Sequence, residues 1–120
     1  MPGRWTYLSA NIDGYESLCQ DTVISSLLGG TPATVPERYA QASPRRLLPL
    51  GVPQVLILGQ YEERVPLALA EEYVAAARRA GDSVQLEVIR GVGHFEIASP
   101  RARTWSRVSS SIRALLGGRD

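Results

Sequence analysis

Lysine is missing from this chain of 120 residues: all thirteen positive side chains are arginine, set against twelve acidic ones for a net charge of +1. The arginines are scattered and interleaved with glutamate, which excludes the clustered basic face that nucleic-acid binding needs. Five of them fall in the last twenty residues with Asp120 as the one acid there, a density that on a helix marks a solvated face. Cysteine is nearly as scarce. Cys19 alone rules out an internal disulfide, and with a single histidine it rules out a Cys/His structural zinc site. No metal or organic cofactor is expected. Long apolar runs are missing too: the longest, over residues 52–59, is far short of the roughly 20 residues of a membrane helix. With neither a charged-then-apolar leader nor a lipidation motif, a membrane or exported location is not expected and a cytoplasmic one is.

What is present suits a folded chain. An apolar fraction of 44% and a charged fraction of 21% are ordinary for a globular domain, and the length allows one domain over residues 1–120. Residues 52–59 (VPQVLILG) form a short, nearly continuous apolar run, which predicts a strand buried on both faces of a parallel sheet. Residues 84–89 (VQLEVI) alternate apolar and polar, which predicts a strand with one wet face. Between them, Leu67, Ala70, Val74 and Ala77 share one stripe of a helix over residues 67–80, with Pro66 at its start and Gly81 as its left-handed end. Strand, helix, strand at this spacing is a right-handed βαβ unit. Trp105, Val108, Ile112, Leu115 and Leu116 predict a second amphipathic helix over residues 100–116. Upstream, a strand is expected at 5–10, short helices at 21–28 and 36–42, and a turn at 29–32. A strand that is apolar on both faces needs helices on both faces and strands on both edges, so these elements amount to half of a doubly wound sheet.

The succession Gly59-Gln-Tyr-Glu-Glu-Arg-Val-Pro66, then the helix, then Gly91-Val-Gly-His-Phe-Glu96 resembles the C-terminal half of an α/β-hydrolase. More narrowly, it resembles the esterase, dienelactone-hydrolase and prolyl-oligopeptidase-like branch. There the pattern is Gly-x-x-Asp-x-x-Val-Pro after one strand and Gly-x-Gly-His after the next. Pro36-Glu-Arg-Tyr39 and Ala42-Ser-Pro44 also look like the segment before the acid strand, so the resemblance spans residues 6–117. It implies a partial three-layer α/β sheet, with His94 as catalytic base and Glu62 as the acid that orients it. Glu62 stands where the family has Asp, and the extra methylene shifts the carboxylate. Within the resemblance, the family's spacing after Gly59 selects Glu62, with Glu63 the competing assignment and a solvated acidic turn the bland alternative for both. For His94 the bland alternative is a surface loop histidine with no task.

One part of the pattern is missing. No serine before Glu62 sits in a Gly-x-Ser-x-Gly elbow, the strained turn that carries the nucleophile in these enzymes. Cys19 has no elbow and no neighbouring base in sequence, so it is read as a packed thiol. The resemblance therefore implies the C-terminal portion of a serine hydrolase for esters, amides or peptides, inactive alone. Its expected partner is a nucleophile-bearing hydrolase half or a second copy of the chain. A non-catalytic remnant or assembly module, pairing with another chain through an open sheet edge, is the alternative.

Overall fold

The computed structural model describes residue 12 and residues 22–117. The expected strand at 5–10 and Cys19 lie outside the described residues. Within residues 22–117, two short helices come first, α1 (Val23–Leu28) and α2 (Pro36–Ala42), followed by a 3-10 turn at Pro44–Leu47. Then come β1 (Gln54–Gly59), α3 (Leu67–Arg79) and β2 (Val84–Ile89), a second 3-10 turn at Glu96–Ala98, and α4 (Trp105–Leu115). The strands run parallel in register from Gln54 opposite Val84 to Gly59 opposite Ile89. The fold is mixed α/β, and at its centre is the strand–helix–strand unit expected from the sequence.

Alternation along the strands divides the core. Leu56, Val84 and Leu86 face α3, where they meet Tyr73, Val74 and Ala77. Ile57 and Ile89 face the other way, packing with Val92, Ile97, Trp105, Val108 and Ile112. Helices α3 and α4 thus cover opposite faces of the sheet. A separate cluster of Ile12, Ile24 and Tyr39 ties α1 to α2.

Several expectations need correction at the edges. The face of β2 expected to be wet is covered in part by α4. Ile89 is buried there, and Glu87 is half-buried and accepts from the Ser111 hydroxyl at 2.8 Å. The last helix starts at Trp105 rather than at residue 100, because 99–104 turn back through bonds from the Ala102 amide to Ser99 and from the Trp105 amide to Ala102. Leu67 and Leu116 sit on the expected stripes but are exposed. Leu67 is the first residue of its helix and Leu116 caps the end of the other. Strand β1 begins at Gln54, two residues late, after a bend at 51–52.

The end of the sheet away from the loops after the strands is tied down by one buried carboxylate. Asp82 accepts hydrogen bonds from the Leu50 amide (2.7 Å), the Gly51 amide (2.9 Å) and the Gln54 side-chain amide (3.1 Å). Gln54 in turn accepts from the Tyr73 hydroxyl at 2.6 Å. Burial and the Asp82 charge both push the Tyr73 hydroxyl above its ordinary pKa, which keeps it a donor. Removing the carboxylate leaves two backbone donors without a partner. Asp82→Ala is expected to cost about 3 kcal/mol in urea unfolding, and Asp82→Asn about half as much, since hydrogen bonds to a charged acceptor are worth roughly 1.5–3 kcal/mol. A loss under roughly 0.5 kcal/mol in Asp82→Ala would contradict this anchoring.

Candidate active site

Both strands of a parallel pair end on the same side, so the loops after β1 and β2 lie next to each other. Backbone bonds extend that contact past the strands: the Gln60 amide donates to the Ile89 carbonyl (2.8 Å) and the Tyr61 amide to the Val92 carbonyl (3.0 Å). The Gln60 side chain accepts from the Gly91 amide at 3.1 Å. The approach requires a glycine. A Cβ on Gly59 would stand 2.8 Å from the Gly93 oxygen and press on the Val92 carbonyl.

Glu62 leaves this junction in a tight turn, its amide donating back to the Gly59 carbonyl at 3.1 Å. One carboxylate oxygen, Oε1, accepts from the Arg64 amide (2.7 Å) and the Val65 amide (3.1 Å). The other, Oε2, lies 2.7 Å from His94 Nδ1, joining residues 32 positions apart. The Glu62 carboxyl group thus serves its own turn and His94 at once. Its side chain is 6% exposed and that of His94 31%. Glu63, the competing acid, is exposed and makes no bond to His94.

The protonation pattern follows from these contacts. Burial alone pushes the Glu62 carboxyl up. The bond from His94, the Arg64 and Val65 amides and the attraction of His94 outweigh it and hold the group below its ordinary value of 4.5. Glu62 is therefore an acceptor-only carboxylate at neutral pH, and Nδ1 is the ring nitrogen that carries the proton and donates. Nε2 has no hydrogen-bond partner among the described residues. A neutral imidazole fixed in this tautomer can take a proton at Nε2.

A carboxyl group whose native pKa is depressed stabilises the fold above its unfolded value and loses that contribution as pH falls through the lower native one. Chemical unfolding should show wild type more stable than Glu62→Gln by about 1–2 kcal/mol at pH 7. The gap should hold down to roughly pH 4.5 and close below it. A gap that persists undiminished well below that pH would contradict the assignment.

Three residues around the pair were not singled out by sequence reasoning. Glu96 accepts from the Gly93 amide at 2.6 Å, fixing the backbone just before His94. Phe95 sets its ring edge-on to the His94 imidazole, with centroids 4.9 Å apart and planes at 88°. The Arg64 guanidinium lies 5.5 Å above that ring, so the acid loop and the histidine loop are joined by a second contact. Tyr61 is exposed on the same pair of loops.

Elsewhere, a shallow groove of about 450 Å³ runs between the sheet and the last turns of α4, lined by Val55, Gln85, Glu87, Ser111 and Leu115. It opens toward the start of the strands and contains neither Glu62 nor His94. Among the described residues no group of three side chains is placed to hold a metal, and no helix is long and apolar enough to cross a membrane. No protein-family model, curated protein or solved structure matches the chain.

Proposed function

We propose that the chain supplies the acid and base of a serine-hydrolase relay, acting on carboxylic esters, amides or peptides. The observation that carries this reading is the 2.7 Å bond between Glu62 Oε2 and His94 Nδ1, made by loops at the same end of adjacent parallel strands. Open α/β sheets place their sites in loops of this kind. A partial three-layer α/β-hydrolase arrangement is the architecture that fits: parallel β1 and β2, with α3 and α4 on opposite faces. In the proposed reaction His94 Nε2 takes the proton of a serine hydroxyl as that oxygen attacks the carbonyl, then returns it to the leaving group. Glu62 holds the ring in register and stabilises the imidazolium formed in between.

The nucleophile and the oxyanion donors come from outside residues 22–117, on another part of the assembly. A nucleophile-bearing hydrolase half or a second copy of this chain is the proposed partner. The test is to assay short-chain nitrophenyl esters and a fluorophosphonate probe against the chain alone, then with separately expressed hydrolase halves that carry the Gly-x-Ser-x-Gly turn. The expected result is no His94-dependent turnover alone, and turnover with probe labelling of the added half in the complex. Complexes that form but stay inert with every half would contradict the reading. Labelling of the chain itself, lost in His94→Ala, would place the nucleophile within this sequence.

A further inference from the structure

The described part of the chain holds five aromatic side chains, of which Tyr39 and Tyr73 are buried and Trp105 is half-buried in the core. The other two are both at the candidate site. Tyr61 is 62% exposed, one residue before Glu62, and Phe95 is 72% exposed, one residue after His94. Exposed single apolar residues are common on protein surfaces and carry little meaning by themselves. These two differ in placement and in order. The Phe95 ring meets the His94 ring edge-on at its side and lies under the Arg64 guanidinium, contacts that favour one orientation of its open surface. The Tyr61 backbone is fixed to the histidine loop by the bond from its amide to Val92, and its carbonyl borders Gly93. The nitrogen left without a partner, His94 Nε2, belongs to the ring that Phe95 touches.

A ring with contacts of its own beside a histidine nitrogen offers a binding surface that is partly oriented before a ligand arrives. Aromatic faces favour other aromatic groups over saturated ones of equal size, by edge-to-face and offset stacking. We propose that Tyr61 and Phe95 form an aromatic subsite next to His94, and that the substrate carries a flat aryl group adjoining its scissile ester or amide. This rests on the hydrolase reading for its chemistry, while the subsite itself is read by binding alone.

The experiment is a titration of the full chain, followed by amide NMR, with two stable amides of matched size: N-(2-naphthylmethyl)acetamide and its fully saturated decalin counterpart. The naphthyl compound should bind about three- to tenfold more tightly, with the largest shifts at residues 61 and 93–95. Phe95→Leu and Tyr61→Leu should each remove most of that preference and leave the unfolding midpoint in place, since both side chains lie at the surface. Equal affinity for the two amides, shifts centred elsewhere, or a preference that survives both variants would overturn the subsite. So would variants that alter self-association in sedimentation and leave aryl binding as it was, since the rings would then serve a protein contact. Because no bond is cleaved, selective binding without complemented hydrolysis would retain the subsite and strike the function. Complemented hydrolysis without aryl preference would do the reverse.

Discussion

With the nucleophile supplied by an added hydrolase half, His94→Ala is expected to lower ester turnover by about 10⁴-fold or more, and Glu62→Ala by about 10³–10⁴-fold. The two losses differ in origin. Without His94 nothing accepts the serine proton as the hydroxyl attacks. Without Glu62 the base remains, but the ring loses the acceptor that keeps the proton on Nδ1 and the charge that balances the imidazolium. Because the two act as one unit, the double variant should be scarcely worse than His94→Ala alone. Glu63→Ala is the internal control and should stay within about twofold, since its carboxylate is exposed and makes no bond to the imidazole. A larger loss in Glu63→Ala than in Glu62→Ala would transfer the acid's task to the neighbouring residue. The chain by itself should show no enzymatic turnover, because an acid–base pair without an oxyanion site lacks the term that usually contributes most.

Gly59→Val should be the most damaging substitution outside the pair. The new side chain would be driven into the backbone of Val92 and Gly93, which cannot rotate aside as a flexible side chain can. The expected cost is about 4 kcal/mol in chemical unfolding, and about 2 kcal/mol for Gly59→Ala. Against a typical total of about 5–15 kcal/mol that leaves the variant close to its folding threshold. The surviving folded fraction should also lose the close approach of the two loops. The downfield proton of the His94–Glu62 bond is therefore expected to vanish even where far-ultraviolet circular dichroism remains native. A Gly59→Val protein of wild-type stability would show that the loops have room to separate.

The parts of the fold legible in the sequence are those written as periodicity. Residues 84–89 form a strand with no error at either end, and the stripe through Ala70, Val74 and Ala77 marks the buried side of α3. Position in the sheet is less legible. Leu67 and Leu116 obey the helical period yet are exposed, one as the first residue of its helix and the other as an end cap. Ile89 is buried against α4, which covers a face that the alternation of β2 marks as wet. Polar anchors are hidden for another reason. Asp82 after Gly81 reads as an ordinary turn residue, and its three hydrogen bonds to residues about thirty positions earlier leave no local trace. At the site, Glu62 stands ahead of Glu63 only through the resemblance to the family's Gly-x-x-Asp pattern, and the Glu62 amide closes a turn onto the Gly59 carbonyl. The part played by Glu62 in its own turn was not visible, and neither was the exposure of Phe95, since nothing in a single apolar residue tells a core ring from a surface one.

The most direct test of the acid–imidazole relay is the ring tautomer of His94. The chain has one histidine, so a long-range proton–nitrogen correlation spectrum of the imidazole needs no assignment by mutation. Which ring nitrogen carries the proton is set by the hydrogen bond it makes. At a pH where the ring is neutral, the spectrum should show the proton on Nδ1, with a strongly downfield resonance, and an unprotonated Nε2. Glu62→Gln should remove that downfield signal and shift the proton toward Nε2, while Glu63→Gln should change neither. A wild-type ring protonated on Nε2, or one whose tautomer is indifferent to Glu62→Gln, would contradict the relay.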